Sequence, residues 1–292
     1  MNKVIIVTGA ANSIGRTTCR KLAQAGHTVY VSMQETEGHD ELGEEAGGHD
    51  VDVRTIAFDI ASEASVSSAI DAIVAENNRL DVIVHNARQV VYGPAEAFTP
   101  DQLAELYDTN VLSAQRLNRA ALPQLRKQGQ GLLVWITSSS ARGASLPFLA
   151  AYASSKAALD ALALGYAGEL ARWGVETTIV VPSALGPGHY IRSGRPRDTV
   201  RAEEYADGPT ADVSEIALSA LAQLPAQDRT VQDIATAIAG IVDMPFGQRP
   251  LRVHFGPDDD GAAMVSTVAE SVRAELLRRI GLEDILRPAL IG

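Results

Sequence analysis

Short blocks of consecutive apolar residues alternate along this chain with longer stretches in which apolar positions recur every three or four residues. The blocks at residues 4–7, 28–33, 54–58, 82–85, 132–137, 176–181 and 251–255 read as strands. The amphipathic stretches 14–25, 65–75, 100–126, 150–172, 213–222, 230–242 and 264–280 read as helices. Runs such as Val4-Ile-Ile-Val7 and Leu132-Leu-Val-Trp-Ile136 are apolar at every position, which suits strands covered on both faces rather than one. Regular alternation of such strands with helices predicts an α/β fold: seven parallel strands, doubly wound, with helices on both faces and ligands at the carboxyl ends of the strands. Residues 34–50, rich in Gly and Glu, and 183–209, rich in Gly, Pro and Arg, read as loops.

The first strand runs directly into Thr8-Gly9-Ala-Ala-Asn12-Ser13-Ile14-Gly15 and then a helical pattern. Strand, glycine turn and helix together build a phosphate site of the Rossmann type, in which backbone N–H groups and the helix N-terminus face an anion. Glycine is needed where φ is positive or where the backbone touches the pyrophosphate. Two glycines alone are weak evidence; their place on the first strand of an alternating chain strengthens it.

Tyr152 and Lys156 lie four residues apart in Ala151-Tyr-Ala-Ser-Ser-Lys-Ala157, in a chain with only four lysines. On a helix that spacing puts both on one face. A phenol is a poor acid or base at neutral pH, and a neighbouring ammonium that favours the phenolate makes it useful. The plainer alternative is a buried tyrosine with a surface lysine one turn on.

Composition narrows the classes. At 292 residues and 46% hydrophobic, the chain can bury one large core. A net charge of -11 argues against nucleic acid or an anionic membrane as partner. The single Cys19 permits no intramolecular disulfide and reads as a packing residue of the first helix. With no leader pattern and no run approaching 18 apolar residues, the expected location is the cytoplasm. None of the six histidines has metal-ligand spacing, so no metal site is expected, and His85 reads as a satisfied strand-end histidine.

These motifs resemble the short-chain dehydrogenase/reductase family of single-domain type, over nearly everything from Lys3 to Pro257. Thr8-Gly9-x-x-x-Ser13-x-Gly15 matches the cofactor loop, Asp59 the acidic residue that meets adenine, and His85-Asn86-Ala87-Arg88 the segment after the fourth strand. Asn110, Ser139 (thirteen residues before the tyrosine), Tyr152 and Lys156 match the catalytic tetrad, and Pro182-Ser183-Ala-Leu-Gly186 the turn that meets the nicotinamide. The resemblance implies hydride transfer between NAD(P)(H) and a carbonyl or secondary alcohol. Tyr152 would be the acid/base, tuned by Lys156, which also holds the cofactor ribose. Ser139 would position the substrate oxygen, and Asn110 would hold a water that links Lys156 to solvent. The cofactor would contact Gly9, Asn12, Ser13, Ile14, Gly15, Met33, Gln34, Asp59, Ile60, Asn86, Ala87, Tyr152, Lys156, Pro182 and Ser183. Residues 1–257 would then be the dinucleotide-binding domain, with a substrate lid near 183–209. Residues 258–292 would be a helical extension of the same domain, and the family habit is a homodimer or homotetramer.

Three departures surround the cofactor: Ser13, Arg88 and Ser183 stand where the family usually has glycine. Arg88 either pairs with an anionic substrate group or obstructs the cofactor. Candidate substrate contacts are Arg88, His189, Tyr190 and Arg192; a solvated charged loop is the simpler account of the arginines in 183–209, among them Arg195, Arg197 and Arg201. The second strand ends at Met33 and Gln34: the absent Asp of NAD-specific relatives removes a repulsion against NADP(H), the absent Arg removes an attraction, and Glu35 and Glu37 follow. The resemblance thus tilts the choice slightly to NADP(H) over NAD(H). The altered glycines also motivate a rival reading, a catalytically weak NAD(P)-binding sensor or scaffold. The extension carries an apolar stripe, Val265, Val268, Val272, Leu276, Leu277 and Ile280, suited to covering the active-site mouth or to joining subunits.

Overall fold

The computed structural model describes residues 2–10, 12–33, 51–143, 145–183, 193–223, 230–256 and 261–289. Seven strands form one sheet: β1 (Val4–Val7), β2 (Thr28–Met33), β3 (Val53–Ala57), β4 (Val82–His85), β5 (Gly131–Ile136), β6 (Val175–Pro182) and β7 (Arg252–Phe255). Their order is β3-β2-β1-β4-β5-β6-β7 and every pairing is parallel. The expected doubly wound sheet is therefore present, and the order reverses between β1 and β4, where ligands of such sheets bind.

The unbroken apolar runs feed two cores. Val4 and Ile6 of β1, with Leu133 and Trp135 of β5, face one cluster with α2 (Glu63–Asn77), α4 (Ser113–Gln128) and α5 (Ala150–Leu170). Ile5 and Val7, with Leu132, Val134 and Ile136, face the other, beneath α1 (Ser13–Gln24) and α8 (Val231–Asp243). Each such side chain contributes about 1.5–3 kcal/mol by leaving water. Period-2 alternation in direction without alternation in polarity is thus the sequence trace of a sheet sandwiched between helices.

Two stretches differ from expectation. The helix expected over 100–126 is α3 (Pro100–Tyr107), a π-helical turn at Asp108–Leu112, and α4. A Thr99/Gln102 capping box with Pro100 starts α3. The ladder then slips: the Ser113 N–H bonds the Asp108 carbonyl five residues back, and the Ser113 hydroxyl takes the Thr109 carbonyl at 2.6 Å. Such single-turn bulges accompany functional sites, and here the turn points Asn110 inward. Within 183–209, expected to be loop, Thr199–Asp207 forms α6, its first turn capped by the Asp198 carboxylate, which accepts from the Arg201 N–H. Helix α7 (Val213–Gln223) follows.

The last long helix, α9 (Ala262–Arg279), lies against the body with only Ala262 and Ser266 buried. Its apolar stripe is turned to solvent: Val268, Val272, Leu276 and Ile280 are all more than half exposed. The helix is held by charge instead. Glu270 accepts from Arg252 of β7 at 2.7 Å, and Arg252 bonds the buried Asp160 of α5, which also accepts from Arg142 at 2.9 Å.

Candidate active site

At the switch point the glycine turn is built by close approach. Gly9 has φ +66°, and a Cβ there would stand 2.7 Å from the Ala87 Cα; one on Gly15 would stand 2.5 Å from the Asn86 amide nitrogen. Asn12 caps α1, accepting from the Gly15 N–H at 2.9 Å. Asn86 Nδ2 donates to the carbonyls of Thr8 and Gly9, both at 2.9 Å, while the Thr8 hydroxyl accepts from the N–H groups of Asn86 and Ala87. Turn and β4 end are thus one interlocked unit, with the free N–H groups of α1 above it. The residues fit a dinucleotide phosphate: two positions where only glycine fits shape a cradle at a helix N-terminus.

Two of the altered glycine positions are explained by backbone geometry. Ser13 opens α1, exposed and at negative φ, so a side chain is accommodated there. Ser183 continues β6, its N–H bonded to the Phe255 carbonyl at 2.6 Å, again without positive φ. Ile14 is buried beneath the turn, and Ile60 packs on the core. Asp59, exposed at the end of β3, uses one carboxylate oxygen to cap the Ala61 N–H at 2.9 Å. Met33 ends β2, and Pro182 ends β6. Gln34, His189, Tyr190 and Arg192 lie outside the described residues.

Tyr152 and Lys156 share one buried face of α5, as their spacing predicts. Their partners differ from expectation. The Lys156 ammonium donates to the Ile136 carbonyl at 2.8 Å. The polar groups that act on the Tyr152 phenol are the Arg88 guanidinium and the Ser138 hydroxyl. Burial raises the phenol pKa above its ordinary value, and the Arg88 charge, with those two polar groups, pulls against that rise. Burial also lowers the Lys156 pKa to about 7, with the Arg88 charge adding to the drop. Arg88, where the family resemblance leads one to expect glycine, is thus a cation that acts on the phenol.

Ser139 is buried in the short turn Ser139–Ala141. Its neighbour Ser138, which acts on the Tyr152 phenol, accepts from the Ser140 N–H and lies 2.8 Å from the Ser140 hydroxyl. Asn110 is likewise committed: its Oδ1 accepts from the Gln89 N–H at 2.7 Å, and its Nδ2 donates to the Gln89 carbonyl at 3.0 Å and the Ser155 hydroxyl at 2.9 Å. Its side chain thus clamps the residue after Arg88 to the residue before Lys156, where the sequence alone implied a water-holding role.

The remaining candidates are structural. His85 bonds Asn118 at 2.9 Å and packs tilted against the Trp135 ring; burial lowers its pKa to about 4, so the ring is neutral. Burial pushes the Cys19 thiol up to about 12, leaving it unreactive. Arg197 pairs with Glu105, Arg201 with Asp198 and Glu96, and Arg195 lies over the Tyr92 ring, as a solvated charged segment predicts. Among the described residues no acidic, His or Cys cluster could hold a metal, and no helix is long and apolar enough to cross a membrane.

The parallel sheet and its phosphate cradle define a class: oxidoreductases that hold a nicotinamide dinucleotide at the switch point and move hydride to or from it. The match to the short chain dehydrogenase family extends over residues 3–191, and the chain belongs to that family. It is 32% identical over 187 residues to a cyclopentanol dehydrogenase of Comamonas sp., covering 63% of this chain and 73% of the relative. It is 26% identical over 205 residues to a 3-ketodihydrosphingosine reductase of Bacteroides thetaiotaomicron, covering 70% and 72%. A short-chain dehydrogenase structure from Streptomyces avermitilis superposes with a TM-score of 0.74 at 28% identity, covering 96% of this chain and 97% of that one. The protein is a hydride-transfer oxidoreductase, and the sensor or scaffold alternative is not favoured.

Proposed function

We propose that this enzyme interconverts a ketone and a secondary alcohol, with Tyr152 as acid/base, Ser138 and Arg88 as its partners, and NADP(H) as the preferred cofactor. The observation that carries the reading is the burial of Tyr152 and Lys156 together on one helix face, with the Arg88 charge acting on the phenol. The bound nicotinamide supplies or takes the hydride. The protein manages the proton. Burial keeps the phenol protonated at neutral pH, ready to donate to a carbonyl oxygen. In the reverse direction Arg88 stabilises the phenolate that accepts the alcohol proton. A guanidinium has five N–H donors, so Arg88 retains capacity for the substrate oxygen or a neighbouring anionic group. Gly9, Asn12, Gly15 and the N-terminus of α1 would hold the phosphates, and Lys156 the ribose. The cyclopentanol and ketosphingoid activities of the relatives support a carbonyl or carbinol substrate of this kind.

The test is an absorbance assay at 340 nm with a panel of ketones and alcohols. Tyr152→Phe should lose about 10²–10⁴-fold in kcat while still binding cofactor; full turnover in that variant would overturn the assignment. Assayed with both cofactors, the enzyme should favour NADP(H), because no Asp closes β2 against a 2′-phosphate; a hundredfold preference for NAD(H) would reverse that. A homo-oligomer in a reducing, cytoplasmic compartment completes the proposal, supported by the lone buried Cys19 and the solvent-facing stripe of α9.

A further inference from the structure

The strands of a doubly wound sheet present their carboxyl ends to the cofactor, so the opposite ends are ordinarily structural. Here the amino-terminal ends of β6 and β7 border a cavity of about 380 Å³, closed by the turn before β7, by α9 and by the segment Ile285–Pro288. It lies a strand's length, about 23 Å at 3.3 Å per residue, from the Tyr152 edge. That volume falls in the range of small-molecule pockets.

Its charges are unevenly spent. Arg249 is fully engaged, bonded to the Glu176 carboxylate and to the carbonyls of Ile241, Val242 and Met244. Arg273 and Arg287 also line the cavity, and neither has a hydrogen-bond or ion-pair partner among the described residues. Arg273 is half-buried, pressed over α5 where Gly168 makes room: a Cβ there would stand 3.3 Å from its guanidinium nitrogen. The one acid that acts on it, Glu270, already accepts from Arg252. Thr177, more than nine-tenths buried, lines the same cavity, and its hydroxyl, set behind the cavity wall, has no partner. A desolvated cation and an unsatisfied buried hydroxyl each cost free energy that an anion between them would recover.

We infer that this cavity is a second binding site, for a small organic anion bearing a carboxylate or phosphate group. Arg273 and Arg287 clamp the anionic group, and a rotamer change at Thr177 brings its unpartnered hydroxyl to the ligand to donate. Arg287, exposed at the rim, admits the ligand from solvent, and a chain of net charge -11 makes two uncommitted arginines here a local exception. Because the walls come from both the sheet and the C-terminal segment, occupancy fastens α9 to the body.

Titration of the full chain with inorganic phosphate and with succinate, at matched ionic strength, tests this by calorimetry and thermal unfolding. Saturable one-to-one binding is expected for at least one probe in the presence of excess cofactor, which blocks the phosphate cradle. Affinity should fall tenfold or more in Arg273→Gln and in Arg287→Gln, fall several-fold in Thr177→Val and return in Thr177→Ser, and remain unchanged in Tyr152→Phe. Arg287 is a surface residue, so its variant keeps the test informative if Arg273→Gln folds poorly. No saturation by either probe, or equal affinity in wild type and Arg287→Gln, would overturn the site. No turnover is read, so failure here leaves the Tyr152 mechanism untouched.

Discussion

The Arg88 charge, beside burial, acts on the phenol proposed as the acid/base group. With Lys156 bonded to a backbone carbonyl and brought to about 7 by burial and by Arg88, its charge is present below neutrality and fades above it. A guanidinium carries its charge at every accessible pH. In Arg88→Gln the phenol loses its main counter-influence to burial, so its pKa rises further. The pH profile of alcohol oxidation, which needs the phenolate, should shift to higher pH, and Arg88→Lys should shift it less. An unmoved profile in Arg88→Gln would return the tuning role to Lys156. The Tyr–Lys pair was legible in the sequence because helical spacing dictates it. The groups that act on the tyrosine were not, since Arg88 follows a different strand and Ser138 is one of three adjacent serines.

At the scale of elements, the glycine turn and the end of β4 behave as a single piece. Gly15→Ala would drive a methyl into the Asn86 amide and the Gly9 carbonyl, an overpacking cost of about 1–3 kcal/mol. Cofactor affinity should fall with it, read by fluorescence titration, whereas Ser13→Gly should change affinity little because that position already accommodates a side chain. The chain Arg142–Asp160–Arg252–Glu270 is a second such unit. Asp160→Ala would strand two guanidinium groups, costing about 3–5 kcal/mol; denaturant unfolding would report it, and a loss under 1 kcal/mol would show that the network relaxes. Strand positions came through the sequence to within a residue or so, since apolar runs mark them directly. The π-helical turn did not: it places Asn110 in bonds to Gln89 and Ser155, residues remote in sequence.

Over the whole molecule, fold class and strand number followed from alternation alone, while the placement of the C-terminal helix did not. Its apolar periodicity is real, but the stripe faces water and the polar side faces the sheet. Amphipathic pattern identifies a helix without saying which neighbour takes the greasy face. If a second copy takes it, Val268→Glu with Val272→Glu should lower the mass seen by light scattering without reducing the melting temperature. An unchanged mass would assign subunit contacts elsewhere.

An appendage moored by electrostatics rather than by oil answers to different conditions from the core it adorns. Dissolved electrolyte weakens the one while strengthening the other. In concentrated sodium sulfate the tail should therefore exchange its amide hydrogens sooner even as the remainder of the molecule grows more resistant to heat.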